Sequence, residues 1–203
     1  MDSLKDQLIE VYNRHAFERE GSVKQSWKLA ERGAFFQVVR EKKLQRLLEI
    51  GAGPGHDAKF FQDSGLEVAC TDLSPNMVAL CKEKGLNAQM MDFSELAFSD
   101  QTFDAIWALN CLLHVPKVEF PGVLSEVRRV LRPNGLFYMG VYGRHNSEGI
   151  WEGDHYEPKR FFSFFDEETL KELLSKYFTI LSFKTLPHSD VLDFQSVILM
   201  KNG

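Results

Sequence analysis

Short apolar runs alternate with amphipathic stretches through the middle of the chain. The apolar runs cover residues 47–50, 66–71, 88–91, 103–109 and 136–142, and the amphipathic stretches cover 57–62, 75–84 and 118–130. Runs of this length predict strands, and the stretches between them predict helices. The alternation is typical of an α/β fold, in which helices cover both faces of a parallel sheet through right-handed crossovers.

The two ends of the chain depart from this alternation. Residues 4–41 repeat apolar positions every three or four residues and are interrupted near Gly21, which predicts a helical cap over residues 1–43. Near the other end, residues 166–176 predict a helix with Asp166 as its N-cap. Strands are predicted at 178–184 and 194–200. The segment between them is too short for a crossover helix, so this pair should be antiparallel.

Composition and charge narrow the class of protein. The 203 residues are 44% hydrophobic and 26% charged, which fits one globular domain. Cys70, Cys81 and Cys111 are widely spaced and odd in number, so they predict neither a disulfide framework nor a zinc ribbon and favour a reducing compartment. The first residues are acidic where a signal peptide is basic, and no apolar run reaches the roughly 18 residues of a membrane span. We therefore expect a cytoplasmic protein without a membrane partner.

A glycine-rich loop joins the first predicted strand to the following helix. Gly51, Gly53 and Gly55 alternate with other residues, and glycine suits a tight turn whose backbone lies directly against a ligand. Asp72 closes the second predicted strand about twenty residues after Gly51, where a carboxylate can accept hydrogen bonds from both hydroxyls of a ribose. The alternative role of Asp72 is to cap the helix that begins near Ser74, although capping by Ser74 itself makes that role less necessary.

At these residues the chain resembles the class I S-adenosylmethionine-dependent methyltransferases, over about residues 44–142. The resemblance implies a Rossmann-like sheet of seven strands in the order 3-2-1-4-5-7-6, with the seventh strand antiparallel. It also implies that Glu49 holds the methionine end of S-adenosylmethionine, that Asp72 holds the ribose and that Asp92 contacts the adenine amino group. The full set of cofactor positions is then Glu49, Gly51, Ala52, Gly53, Gly55, Asp72, Leu73, Met77, Asp92, Phe93, Asn110 and Cys111.

The resemblance implies transfer of a methyl group to a small-molecule acceptor by in-line displacement, which leaves S-adenosylhomocysteine and requires no metal ion. It divides the single domain into the cap (1–43), a cofactor-binding core (44–142), a substrate-side insertion (143–165) and a C-terminal helix and hairpin (166–203). Two other functions stay open: modification of tRNA or another nucleic acid, which the net charge of −5 disfavours, and cofactor binding without catalysis. A monomer and a homodimer are equally compatible with the sequence.

A nicotinamide-dependent oxidoreductase is disfavoured. His56 stands at the sixth position of the dinucleotide-binding pattern, where close helix packing needs a small residue. The antiparallel pair predicted at the end of the chain disfavours the same class.

His114 is the candidate catalytic residue. It follows the fourth predicted strand, where an acceptor would arrive, and an imidazole there could remove a proton from the acceptor. The structural alternative is an imidazole that closes the loop beside Pro116. The sequence leaves both roles open.

The insertion and the cap supply the candidate acceptor contacts. Aromatic and cationic side chains there could line a pocket or bind a carboxylate or phosphate, and these candidates are Tyr12, Tyr142, Trp151, His155, Tyr156 and Arg160. The alternative is that Phe161, Phe162, Phe164 and Phe165 pack the insertion onto the core, and that Arg160 belongs to a solvated turn. Core packing equally explains Tyr12.

Overall fold

The five apolar runs in the middle of the chain form the parallel part of one sheet in the computed structural model, which describes residues 3–203. Met1 and Asp2, the first residues of the predicted cap, lie outside the described residues. The strands are β1 (Arg46–Ile50), β2 (Glu67–Asp72), β3 (Asn87–Met90), β4 (Phe103–Leu109), β5 (Leu131–Gly143), β6 (Ser147–Ile150), β7 (Phe161–Phe164), β8 (Thr179–Pro187) and β9 (Asp193–Met200).

The seven-stranded sheet has the order β3-β2-β1-β4-β5-β9-β8, in which β9 runs antiparallel to both β5 and β8. Counted within this sheet, β8 and β9 are its sixth and seventh strands, so the predicted order and the predicted antiparallel pair are confirmed. The carboxyl ends of β1, β2, β4 and β5 consequently meet at one edge, where a doubly wound sheet binds its ligands.

Helices cover both faces of the sheet, and they are α1 (Leu4–Arg14), α2 (Ala16–Glu20), α3 (Ser26–Glu41), α4 (His56–Asp63), α5 (Pro75–Glu83), α6 (Phe120–Val130) and α7 (Glu167–Ser175). Neighbouring strand residues point to opposite faces. Accordingly, Trp107 and Tyr138 pack with α3, α4 and α5, whereas Ile106 and Phe137 pack with α6 and α7. No helix in the described part of the chain is both long enough and apolar enough to cross a membrane.

Two predicted caps are present. Asp166 accepts a hydrogen bond from the Thr169 N–H (2.8 Å) at the start of α7. Ser74 does the same for the Met77 N–H (3.1 Å) at the start of α5. Because Ser74 caps α5, the neighbouring Asp72 is available for another role.

The insertion contains a hairpin that the sequence does not predict. Strands β6 and β7 pair antiparallel as a separate two-stranded sheet. The polar run at 147–149 lacks the apolar alternation by which strands are recognised. Phe162, Phe164 and Phe165 are buried in the core, as the packing alternative predicts, whereas Phe161 is only half-buried.

The cap lies over the edge where the strands end. Asn13 on α1 accepts a hydrogen bond from the Ser74 hydroxyl (2.6 Å), and its carbonyl accepts one from the Asn76 side chain (3.0 Å). On α2, Glu20 pairs with Lys84 (2.6 Å). These contacts fix the cap against α5, so that Arg19 shares a cavity with Gly51 and Gly53 of the glycine-rich loop.

Candidate functional site

The glycine-rich loop is held by a carboxylate. Gly51 and Gly53 adopt φ values of +62° and +56°, in the left-handed region that favours glycine. The Gly53 N–H donates to Asp72 Oδ2 (2.7 Å), and the Ser74 N–H donates to Asp72 Oδ1 (2.9 Å). Burial raises the pKa of Asp72. Because each carboxylate oxygen can accept more than one hydrogen bond, Asp72 retains capacity for a ligand.

Two polar atoms beside the loop are buried without a partner. Glu49 Oε2 and Asn110 Oδ1 make no hydrogen bond to any residue within 3–203. Burial, reinforced by the nearby Asp57 charge, raises the pKa of Glu49 well above its usual range. Buried polar side-chain atoms in native proteins nearly always have a partner, so these two orphaned atoms indicate a ligand site.

Three adjoining cavities run along this edge. The first, which we call the cation cavity because Arg19, Lys24 and Lys28 line it, has a volume of about 420 Å³. The middle cavity (about 50 Å³) and the cap cavity (about 290 Å³) follow it toward α1. The cation and middle cavities share Arg19, Gly51, Gly53, Leu109 and Asn110, and the middle and cap cavities share Leu8, Leu73, Phe93 and His114. The shared walls make one continuous groove beneath the cap.

Most of the predicted cofactor residues line this groove. Glu49 and Ala52 line the cation cavity, Asp72 and Cys111 line the middle cavity, and Asp92 lines the cap cavity. Two predicted residues lie elsewhere. Met77 is fully buried against Ala16 and Leu80, and Gly55 packs on Cys81 and Leu86.

An ion pair closes the cap cavity across Asp92. The Lys5 ammonium lies 2.7 Å from Asp92 Oδ2, and the Ser94 N–H donates to Oδ1 (2.8 Å). Burial alone would raise the pKa of Asp92, but these two partners lower it below its usual value. The acid therefore stays charged, and because each of its oxygens can accept more than one hydrogen bond, it retains capacity for another donor beside Lys5.

A chain of hydrogen bonds joins α1 to the insertion through His114. Arg160 Nη1 donates to the Tyr12 hydroxyl oxygen (2.8 Å), which lies 2.8 Å from His114 Nε2. His114 Nδ1 lies 2.8 Å from the Phe161 carbonyl oxygen. A carbonyl oxygen only accepts, so Nδ1 carries the hydrogen and Nε2 accepts the Tyr12 proton. Asp154 anchors Arg160 through two further bonds, at 2.6 and 2.8 Å.

The other candidate acceptor residues divide into two groups. Tyr12, Tyr142 and Arg160 line the groove, although the Arg160 guanidinium is already engaged by Asp154 and Tyr12. The remaining three lie outside the walls of the groove, since Trp151 packs on Phe162, Tyr156 stacks on His15 (ring centroids 4.1 Å apart) and His155 is exposed.

Several residues of the groove are not predicted from the sequence. Arg19, Lys24 and Lys28 come from the cap, and His188 comes from the turn after β8. The Arg19 guanidinium carries a buried Nε without a hydrogen-bond partner within 3–203. Cations at irregular spacing in a helical segment usually form a solvated face, so no local signal points to them. Among residues 3–203, no three His, Cys, Asp or Glu side chains lie close enough together to hold a metal ion.

Because His114 is buried, we expect the free energy of unfolding to depend on pH. Burial, together with the Arg160 charge, lowers the pKa of His114 to about 3. An unfolded histidine titrates near 6.5, so unfolding takes up a proton in acid. The free energy of unfolding is therefore not reduced by His114 above about pH 6.5, and it falls as the pH is lowered toward 3. About 2 kcal/mol of it is lost by pH 5. In His114→Gln, the difference between urea-unfolding free energies at pH 7.5 and pH 5 should shrink by that amount.

The exposed His145→Gln variant is the matched control and should keep the wild-type difference. An unchanged difference in His114→Gln would show that the imidazole is protonated in the folded protein.

Comparison with known proteins agrees with this architecture. A family model described as a methyltransferase domain matches residues 48–139. A sterol 24-C-methyltransferase from Gibberella zeae is 32% identical over 124 residues, which cover 57% of this chain and 31% of that protein. The chain spans less than a third of the length of this relative.

Solved structures share the whole fold. The 1,6-didemethyltoxoflavin-N1-methyltransferase of Burkholderia thailandensis, solved with bound 1,6-didemethyltoxoflavin and S-adenosylhomocysteine, has a TM-score of 0.74 at 22% identity, covering 98% of this chain and 88% of its own. The [4+2]-cyclase SpnF has a TM-score of 0.69 at 19% identity, covering 90% and 85%. The segment at residues 48–139 therefore matches a methyltransferase domain, and the chain shares the Rossmann-like fold of these solved structures.

Proposed function

We propose that this protein transfers a methyl group from S-adenosylmethionine to a small-molecule acceptor by in-line displacement. The main support is that Glu49 Oε2 and Asn110 Oδ1 are buried without a hydrogen-bond partner within residues 3–203. They lie on either side of a glycine loop whose Gly53 N–H is bound by Asp72. The sterol 24-C-methyltransferase and the toxoflavin methyltransferase named above support a small molecule as acceptor.

The residues present fit this cofactor. A carboxylate with a raised pKa, such as Glu49, gains a partner when an ammonium group binds, because the positive charge favours its ionised form. Asp72 can accept from ribose hydroxyls, and Asp92 can accept from an adenine amino group with the acceptor capacity that Lys5 and Ser94 leave unused. A side chain at Gly53 would meet no protein atom within 4 Å, so the space above it is open to a ligand.

When bound, the cofactor supplies a methyl group on a sulfonium, which is already a good electrophile. The protein then has to orient an acceptor and keep water away. The cap helices α1 and α2 cover the groove, and the Tyr12 hydroxyl is fixed between Arg160 and His114. Asn110 and Tyr142 line the cation cavity at the carboxyl ends of β4 and β5, where they can contact an acceptor.

His114 remains a proposed catalytic residue, either as a proton acceptor or as a positioning residue. Its hydrogen bonds to Tyr12 and Phe161 and its lowered pKa support the positioning role, in which the imidazole aligns the Tyr12 hydroxyl. The two roles predict different pH–rate profiles for a variant that lacks the imidazole. His114→Gln, which retains an acceptor for the Tyr12 hydroxyl, should keep the wild-type pH–rate profile if His114 positions Tyr12. It should lose the acidic limb, on which the rate rises as the base loses its proton, if His114 removes the proton.

The remaining acceptor contacts are proposals for Trp151, His155, Tyr156 and Arg160. Arg160 has the strongest support because it borders the groove. Acceptor affinity in Trp151→Ala, His155→Ala and Arg160→Ala, measured with cofactor affinity as the control, tests them. If none of the three changes, the insertion does not contact the acceptor.

Calorimetry and label transfer test the function as a whole. S-adenosylhomocysteine should bind the protein, and NAD should not. Label from methyl-labelled cofactor should then appear in a compound of a metabolite extract freed of nucleic acid. Transfer to tRNA instead would establish the nucleic-acid alternative.

Cofactor binding without transfer to any extract would favour a second candidate, a protein that binds the cofactor without methylating. The structural neighbour described as a [4+2]-cyclase supports that candidate, because it has the same fold. We further propose a cytoplasmic location, supported by three buried, unpaired cysteines, and a monomer or homodimer.

A further inference from the structure

Lys28 stands in the first turn of α3, at the edge of the cation cavity. Its ammonium lies 5.1 Å from the centroid of the Trp27 ring and 5.6 Å from that of Tyr142. No carboxylate within residues 3–203 lies within 4.0 Å of it, since Lys28 belongs to none of the ion pairs there. A cation set between two aromatic rings is held in place but not neutralised.

The nearby acidic residue, Asp57, is already paired with two other cations. Asp57, which is almost fully buried, lies 2.6 Å from the Lys24 ammonium and 2.9 Å from the Arg32 guanidinium. Burial, with repulsion from Lys24 and Arg19, lowers the pKa of Lys28 to about 8. The surroundings of Lys28 thus carry an excess of positive charge, which an anion would relieve.

The start of α3 adds to this field. Its first turn holds no acidic residue, and its N-cap Gln25 makes no side-chain cap. Gln25 and Lys28 both line the cation cavity, so the positive end of a 16-residue helix faces the same space as the ammonium.

Binding of S-adenosylmethionine, the cofactor of the proposed function, would not neutralise the positive charge of Lys28. S-adenosylmethionine carries a sulfonium and an ammonium against one carboxylate. Glu49 is suited to the ammonium, and Arg19, which borders both the cation and the middle cavities, is suited to the carboxylate. Lys28 and the sulfonium then remain, both positive and both facing the space left for the acceptor.

We propose that the methyl acceptor carries a carboxylate or phosphate group, and that Lys28 binds this group beside the rings of Trp27, Tyr142 and His188. The Tyr142 and His188 ring centroids are 4.7 Å apart, and those of Trp27 and His188 are 6.2 Å apart. These rings give the uncharged part of the acceptor an aromatic wall next to the cation. This inference rests on the proposed function, because it places an acceptor beside the cofactor.

The test titrates the S-adenosylhomocysteine complex with benzoate, inorganic phosphate and neutral benzamide, using calorimetry. At least one of the two anions should bind, and benzamide should bind more weakly. Lys28→Gln should weaken the anion about 10-fold or more, as expected for loss of a hydrogen bond to a charged group. Lys42→Gln, which removes the same charge from the exposed far end of α3, should leave the affinity unchanged. Both variants should melt at the wild-type temperature.

The affinity for S-adenosylhomocysteine shows whether Lys28 binds the carboxylate of the acceptor or the carboxylate of the cofactor. It should change less than about 2-fold in Lys28→Gln. A loss of 10-fold or more, absent with the decarboxylated analogue, would assign Lys28 to the cofactor carboxylate and overturn the proposal. Equal binding of anions to wild type and Lys28→Gln, or no anion binding at 10 mM, would also overturn it. If wild type fails to bind S-adenosylhomocysteine at all, the proposed function itself fails.

Discussion

Replacement of Gly51 with alanine is expected to lower the free energy of unfolding by about 3 kcal/mol or more. The new Cβ would lie 2.3 Å from the Cβ of Cys111 and 2.9 Å from its Sγ. Cys111 is buried, and its thiol donates to the Ile50 carbonyl (3.2 Å), so it cannot swing away without breaking that contact. Urea denaturation of the two proteins measures the difference directly.

Gly53→Ala is the matched control. Gly53 has nearly the same φ, but nothing lies within 4 Å of its added Cβ, so only the left-handed backbone strain of about 1 kcal/mol applies. The same methyl group would occupy space that the proposed cofactor needs, so Gly53→Ala should remain folded and bind S-adenosylhomocysteine poorly.

A Cys111→Gly background removes the atom that Gly51→Ala contacts. The substitution should therefore cost about 1 kcal/mol there. An equal cost in both backgrounds would show that the packing of Cys111 does not cause the loss.

The second large effect is expected at Asp72. Asp72→Asn keeps the shape of the side chain but removes its charge, and it turns one acceptor toward the Gly53 or Ser74 N–H into a donor. Two hydrogen bonds from ribose hydroxyls to a charged acceptor would also weaken, at about 1.5 kcal/mol or more each, so the affinity for S-adenosylhomocysteine should fall by about 100-fold or more.

The matched control for this change is Asp63→Asn, at the exposed end of α4, where the ion pair with Lys59 is of small energetic value. It should bind S-adenosylhomocysteine as wild type does. An affinity in Asp72→Asn within about 3-fold of wild type would leave Asp72 with the single role of fastening the loop.

The sequence predicts the sheet and the loop well because their signals are local. An apolar run followed by Gly51 and Gly53, with Asp72 about twenty residues later, combines strand, turn and ligand chemistry in one segment. The antiparallel end of the sheet follows from the short connection before β9. Asp166 and Ser74 cap helices as expected because capping depends on neighbours three residues away.

The rest of the site is assembled by tertiary contacts. Arg19 and Lys28 come from the cap and His188 comes from the turn after β8, and no spacing in the chain connects them. Met77 follows Ser74 closely enough to suggest a place beside the cofactor, yet the helix turns it inward against Ala16. The direction of a helical side chain depends on what packs over the helix, and here that partner is the cap.

The contacts of α1 set a limit on how fast the groove can exchange its contents. Tyr12 is bonded to His114 and Arg160, and Lys5 is bonded to Asp92, so one helix seals both the middle and the cap cavities. A molecule that leaves those cavities past α1 has to wait until these bonds break together. For a molecule that exchanges by this route, the rate at which α1 detaches is an upper bound on the turnover rate of the proposed reaction, whatever the speed of the chemical step.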